Sequence, residues 1–204
     1  MALKSLRDIV LENNKKDYHL TDKAGGKLAV EKYGYKEQCH ELAELYDYIL
    51  SDLRDKEINL LEIGIAWGGS IQMWADYFQK GKIYGIDNIP FLQKINRPFN
   101  NDRITAIWGD AYSSEFTDYL TTEKLNFDII LDDGPHTLES QEWFIDNFIN
   151  FVKPGGYLIV EDISGIENAR KLHERLIPKV KFSFLVDRTQ LTGLGNEIVL
   201  FGVK

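Results

Sequence analysis

The chain has 204 residues, 44% hydrophobic and 12% aromatic, enough to close one core, and no Pro/Gly/Ser-rich linker divides it, so one domain over 1–204 is expected. Asp and Glu total 32 against 24 Lys and Arg, a net charge of −8 that argues against a nucleic-acid partner held by phosphate contacts. Cys39 is the single cysteine, which excludes an intramolecular disulfide and a cysteine metal site, and no apolar run approaches bilayer length; a cytoplasmic protein with no membrane partner is expected.

In chain order, residues 1–12 alternate charged and apolar positions. Residues 13–36 are polar and interrupted by Gly25, Gly26 and Gly34, the composition of an irregular lid. Glu37 to Leu53 reads as a helix with Leu42, Leu45, Tyr46, Ile49 and Leu53 on one side. Residues 1–58 therefore form an N-terminal helical and lid segment ahead of a core at 59–204.

From Asn59 short β-rich runs alternate with helical ones, the signature of βαβ units and a mainly parallel sheet. Strands are predicted at Asn59–Ile65, Lys82–Asp87, Ile104–Trp108, Phe127–Asp132 and Gly156–Glu161, and helices at Ser70–Phe78, Pro90–Ile95, Ser113–Leu120 and Thr137–Phe151. The last of these is expected to turn Trp143, Phe144, Phe148 and Phe151 inward as one buried face. A helix from Asn168 to Ile177 ends at Pro178. Strands Phe182–Asp187 and Glu197–Val203, joined through Gly193 and Gly195, are expected to pair antiparallel.

Two acidic pairs, Asp132-Asp133 with His136 close behind and Glu161-Asp162, end strongly apolar strands. Ligands of open α/β sheets bind outside the carboxyl ends of the strands, so these groups are expected at one rim. Carboxylates packed together repel unless a cation sits among them, and oxygen donors favour magnesium, calcium or manganese.

Leu60 to Ser70 runs from a strand through a glycine-rich turn into a helix N-terminus. Glycines there permit close approach of backbone to ligand, and the first helical N–H groups lack intrahelical partners. Asp87 ends the second strand, where a carboxylate can accept ribose hydroxyls, and Asp110 follows the third. The bland alternative for each is a tight βα connection or a helix cap; three at successive strand ends favour a nucleotide site.

These residues resemble the class I S-adenosylmethionine-dependent methyltransferases. Glu62, Gly64, Ala66 and Gly68 match that family's first motif, with Ala66 in place of a glycine, while Ser70 opens the helix beyond it. Asp87 and Asp110 match its later acidic positions. The resemblance implies an α/β Rossmann-like fold, a mainly parallel seven-stranded sheet with the last strand reversed. Adding Thr21-Asp22-Lys23, Tyr84-Gly85-Ile86-Asp87, Asp132-Asp133-Gly134-Pro135-His136 and Pro154-Gly155-Gly156-Tyr157, the chain looks similar to the magnesium-dependent sugar O-methyltransferases of macrolide biosynthesis, which usually carry serine where Pro135 stands. That likeness implies S-adenosylmethionine and Mg2+ (or another divalent cation such as Mn2+) as cofactors, Asp133, Glu161 and Asp162 as metal ligands, and His136 as base. Asp132 is expected against the cofactor or behind the metal ligands.

The chemistry is consistent with this: a sugar hydroxyl is a weak nucleophile that needs a cation for its developing charge and a base for its proton. The expected acceptor is a sugar-containing small molecule or glycan; a homo-oligomer is left open. Competing readings are a catechol-type O-methyltransferase, a non-catalytic S-adenosylmethionine-binding protein and, more weakly, an NAD-linked oxidoreductase, whose glycine spacing does not fit. His19, His40, His173 and Lys15-Lys16 read as structural or solvated. Tyr33, Tyr35, Trp67, Trp108 and Tyr112 suit a pocket wall or a core equally.

Overall fold

A computed structural model describes residues 4–15, 42–66, 68–88, 101–192 and 197–204. Its strands are β1 (Asn59–Ile63), β2 (Lys82–Asp87), β3 (Ile104–Trp108), β4 (Phe127–Asp132), β5 (Val152–Ile163), β6 (Phe182–Asp187) and β7 (Ile198–Val203). They form a seven-stranded sheet in the order β3-β2-β1-β4-β5-β7-β6. The pairs from β3 through β5 are parallel, and β7 runs antiparallel to both β5 and β6, as the resemblance implied.

Successive residues of a strand face opposite sides of a sheet, and a sheet covered on both faces needs apolar residues at both parities. Leu60, Ile129, Leu131, Ile159, Val199 and Phe201 pack toward α1 (Leu6–Lys15), α2 (Ala43–Leu50) and α3 (Gly69–Tyr77). Leu61, Ile63, Ile130, Leu158, Val160 and Leu200 pack toward α4 (Ser114–Thr122), α5 (Leu138–Phe148) and α6 (Ile166–Leu176). A short α7 (Thr189–Thr192) follows β6. No helix among the described residues is long and apolar enough to cross a membrane.

Several predicted elements change in detail. The first helix was hidden because its charges obscure a helical repeat: Leu6, Ile9, Val10 and Asn13 are buried at spacings of three and four. The predicted Glu37–Leu53 helix is described as Ala43–Leu50 followed by a 3-10 turn at Ser51–Leu53. β5 begins at Val152, through an irregular register with β4, instead of at Gly156. The predicted helix at Pro90–Ile95, most of the lid segment, His19, Cys39, His40, Tyr33, Tyr35, Trp67, Gly193 and Gly195 lie outside the described residues.

Candidate active site

The carboxyl ends of β1, β2, β3 and β4 are joined by hydrogen bonds that extend the sheet past its strands. Gly64 N donates to the Ile86 carbonyl at 2.9 Å, Asp133 N to that of Ile63 at 2.9 Å, and Gly109 N to that of Asp87 at 3.0 Å. Gly64 has φ +81°, and a Cβ there would stand 2.0 Å from the Asp133 carbonyl oxygen. Its glycine is thus required for backbone to meet backbone, seating the Asp133 loop against the first turn. Asp87 Oδ2 accepts from Ile65 N at 2.9 Å and Ala66 N at 2.8 Å, holding the turn with Ala66 at φ +39°.

The loop after β4 is bounded by Thr137, whose hydroxyl accepts from Ser140 N at 3.1 Å and starts α5. Inside it, the Tyr112 hydroxyl donates to Asp132 Oδ1. A Cβ on Gly134 would meet that same hydroxyl at 2.1 Å, so only glycine lets Tyr112 cover the loop. His136 has φ +57°.

β5 presents its acidic pair through a bulge. Val160 pairs with Leu200 but Ile163 with Ile198, so Glu161 and Asp162 together oppose the single residue Val199. Regular alternation would send the two carboxylates to opposite faces; with Asp162 at φ +52° both line the same cavity. Ala66, His136 and Asp162 are three of the four non-glycine residues with positive φ among those described, and all three line it. Such conformations persist only where the surroundings enforce them.

Glu161 is held from two sides. Its Oε1 accepts from the hydroxyl of the fully buried Tyr46 on α2, and its carbonyl accepts from Gln141 Nε2 on α5 at 2.9 Å. Donor atoms of Asp133, His136 and Asp162 all lie within 4.8 Å of one another. Within that group His136 Nε2 is 3.7 Å from Asp162 Oδ2 and 3.9 Å from Asp133 Oδ1. Two facing carboxylates beside an imidazole fit a divalent ion by donor chemistry.

Burial pushes the Asp132 carboxyl up to about 7; the Tyr112 hydrogen bond opposes this and the Asp133 charge adds to it. Tyr112 is pushed above the ordinary phenol range by burial first and then by Asp132. Tyr46 is raised by burial, then by Glu161, with Asp133 and Glu62 adding. Both phenols therefore stay neutral donors to the carboxylates.

One cavity of about 560 Å³ joins the two halves of the rim. Of the residues expected at the cofactor, Gly64, Ala66, Asp87 and Asp110 line it; of those expected at the chemistry, Asp133, His136, Glu161 and Asp162 do. Glu62, Gly68, Ser70 and Asp132 are buried and are not among the lining residues. Gly68, at φ +80°, is the residue from which α3 starts. Asp110 spends one oxygen on Tyr112 N at 2.9 Å, an aspartate turn within its own loop. Ile63 and Ile86, which sit inside motifs as apolar strand positions, also line the cavity, as do Asn88 and Ala111, which carry no motif; Tyr46 and Gln141 read in sequence only as helix positions, although the apolar repeat did mark Tyr46 as inward-facing.

Residues 61–163, just over half of the chain, match the family model described as Methyltransferase domain. Among curated proteins, the mycinamicin VI 2''-O-methyltransferase of Micromonospora griseorubida is 32% identical over 139 residues, covering 65% of this chain and 33% of that protein. The demethylmacrocin O-methyltransferase of Streptomyces fradiae is 32% identical over 131 residues, 61% of this chain and 32% of that protein. The chain thus spans about a third of the length of these relatives. Among solved structures, the MycE methyltransferase from the mycinamycin biosynthetic pathway, in complex with Mg, SAH and mycinamycin VI, superposes with TM-score 0.59 at 27% identity, over 78% of this chain and 37% of that one. The Methanococcus jannaschii fibrillarin pre-rRNA processing protein, with TM-score 0.60 at 21% identity over 73% of this chain and 67% of its own, shares the fold.

Proposed function

Because the chain belongs to the Methyltransferase domain family, we propose that it transfers the methyl group of S-adenosylmethionine to a sugar hydroxyl of a glycoside or glycan, with a divalent cation, preferably Mg2+, in the site. The observation that carries this reading is that Gly64, Asp87 and Asp110 line the same cavity as Asp133, His136, Glu161 and Asp162. A methyl donor held by the first group of residues would share its cavity with the base and the acid cluster. The volume also falls in the range of small-molecule sites.

When bound, the sulfonium supplies the transferable methyl group and the cation supplies charge for a developing alkoxide. The chain's residues do the rest. Asp87 and Gly64 fix the turn that would receive the donor, and Asp110 lines the same cavity. Asp133, Glu161 and Asp162 would hold the cation; the bulge in β5 turns the last two to one rim. His136, through Nε2, accepts the proton of the acceptor hydroxyl. Apposition of oxygen, methyl carbon and sulfur in line is then mainly a matter of positioning. The sugar assignment draws on relatives named for methylating a rhamnosyl tetracenomycin C and an L-olivosyl-oleandolide.

The test is product mass analysis over a panel of glycosides and simple catechols, with S-adenosylmethionine and Mg2+. Methylated glycosides are expected. Methylation of catechols alone would replace the sugar reading with the catechol one.

A further inference from the structure

We propose that the divalent site has two modes set by the ion: a hard cation such as Mg2+ is held by carboxylates and leaves His136 as proton acceptor, whereas a borderline ion such as Zn2+ takes His136 as a third ligand and silences it. The inference deepens the proposed function and rests on it for the inhibition, though not for the binding.

The geometry is specific to His136. The set whose donor atoms lie within 4.8 Å of one another is Asp133, His136 and Asp162, not the three carboxylates. Oε1 of Glu161 is drawn toward Tyr46 on α2. In His136 the nitrogen facing both aspartates is Nε2, at 3.7 and 3.9 Å. In a tetrahedral zinc site with bonds of about 2.1 Å, donor atoms stand about 3.4 Å apart; the two separations from Nε2 are within about half an ångström of that, and the two aspartate oxygens, within 4.8 Å of each other, would draw together around the ion by side-chain rotation. The backbone is special at two of the three: φ is +57° at His136 and +52° at Asp162, conformations that persist only where the surroundings enforce them.

Ion chemistry does the selecting. Mg2+ prefers octahedral oxygen donors and keeps waters, while imidazole suits Zn2+ and its neighbours. The Nε2 lone pair can receive a proton or bind an ion, not both. An ion that captures it therefore removes the base while occupying the place of Mg2+.

Calorimetric titration of the full chain with MgCl2 and with ZnCl2, in the wild type and in His136→Asn, tests this; asparagine is chosen because it tolerates the left-handed conformation. The Zn2+ dissociation constant should rise about tenfold or more in the variant, while that for Mg2+ stays within about threefold. In the unsubstituted chain, the imidazole Nε2 NMR signal should shift on adding Zn2+ and stay in place with Mg2+. Zn2+ should also suppress turnover in competition with Mg2+. Equal Zn2+ affinity in both chains, or an Nε2 signal unmoved by Zn2+, would overturn the proposal while leaving the methyltransferase reading standing. Equal losses for both ions would overturn the two-mode scheme and also the assignment of His136 as base.

Discussion

The hydroxyl of Tyr46, on a helix ahead of the sheet, donates to Oε1 of Glu161 at the carboxyl end of β5, 115 positions later in the chain. Tyr46 is itself wedged edge-on against Trp74 and Phe201, with ring centroids 5.3 and 6.1 Å away. A rigid ring thus anchors one oxygen of a proposed metal ligand.

Tyr46→Phe keeps the ring packing and removes only this donor. We expect a folded protein whose affinity for Mg2+ or Mn2+ falls about tenfold, the usual cost of losing a partner that orients a ligand. Turnover lost at low Mg2+ should return at high Mg2+. Titration of metal binding, with a thermal melt as control for folding, checks it; unchanged affinity would make the contact purely structural.

Asp132 gives a pH prediction. Its carboxyl is pushed up to about 7 in the fold from an ordinary 3.8, so between those values the folded chain holds a proton that the unfolded chain has released. Stability from this group is therefore present at low pH, declines as pH rises through that window and is level above it. In excess chelator, Asp132→Asn should flatten the decline by the equivalent of one proton. Thermal melts from pH 4 to pH 8 read it directly; parallel curves for both proteins would contradict it.

Gly64→Ala should destabilise by about 2 kcal/mol or more, since the new Cβ meets a backbone oxygen that no rotamer change can move and the left-handed φ adds strain. Because the clash is with Asp133, binding of a divalent ion should weaken together with binding of S-adenosylhomocysteine. Denaturant midpoints and calorimetry measure the two effects; loss of the adenosyl ligand alone would mean that the turn acts only on the cofactor.

Arg103 caps the far end of α3: its guanidinium donates to the carbonyls of Ala75, Phe78 and Gly81 at 2.6, 2.8 and 3.0 Å. Charge-assisted bonds to carbonyls at a helix end are worth about 1–3 kcal/mol in such settings. Arg103→Ala should lower the denaturant midpoint accordingly while leaving metal affinity unchanged, because the residue precedes β3 at the amino ends of the parallel strands and the cavity lies at their carboxyl ends.

The strands were legible in the sequence because runs such as Phe127–Asp132 are apolar at both parities and are closed by turn residues. The rim was legible too, since Asp87, Asp133 and Glu161-Asp162 each close such a run. The bulge was not, because whether Glu161 and Asp162 face one side depends on pairing with β7, a long-range register that no local pattern records. Tyr46 escaped for a similar reason: an apolar helical repeat shows that a side chain is buried, not that its hydroxyl meets a carboxylate. The multiple use of Asp87 and Asp110 was hidden as well, each holding backbone amides of the loops that build the cavity.

The central claim is that a cation held by these carboxylates and a base at His136 act together on one acceptor hydroxyl. Single-turnover methyl transfer from S-adenosylmethionine to a glycoside acceptor tests it most directly, run with Mg2+, with excess chelator, and with His136→Asn at saturating Mg2+. Rapid transfer is expected in the first case, loss of turnover in the second that added Mg2+ reverses, and in the third a rate lowered about a hundredfold or more with S-adenosylmethionine affinity largely retained. Full-rate transfer in chelator, or an unchanged single-turnover rate in His136→Asn, would contradict it.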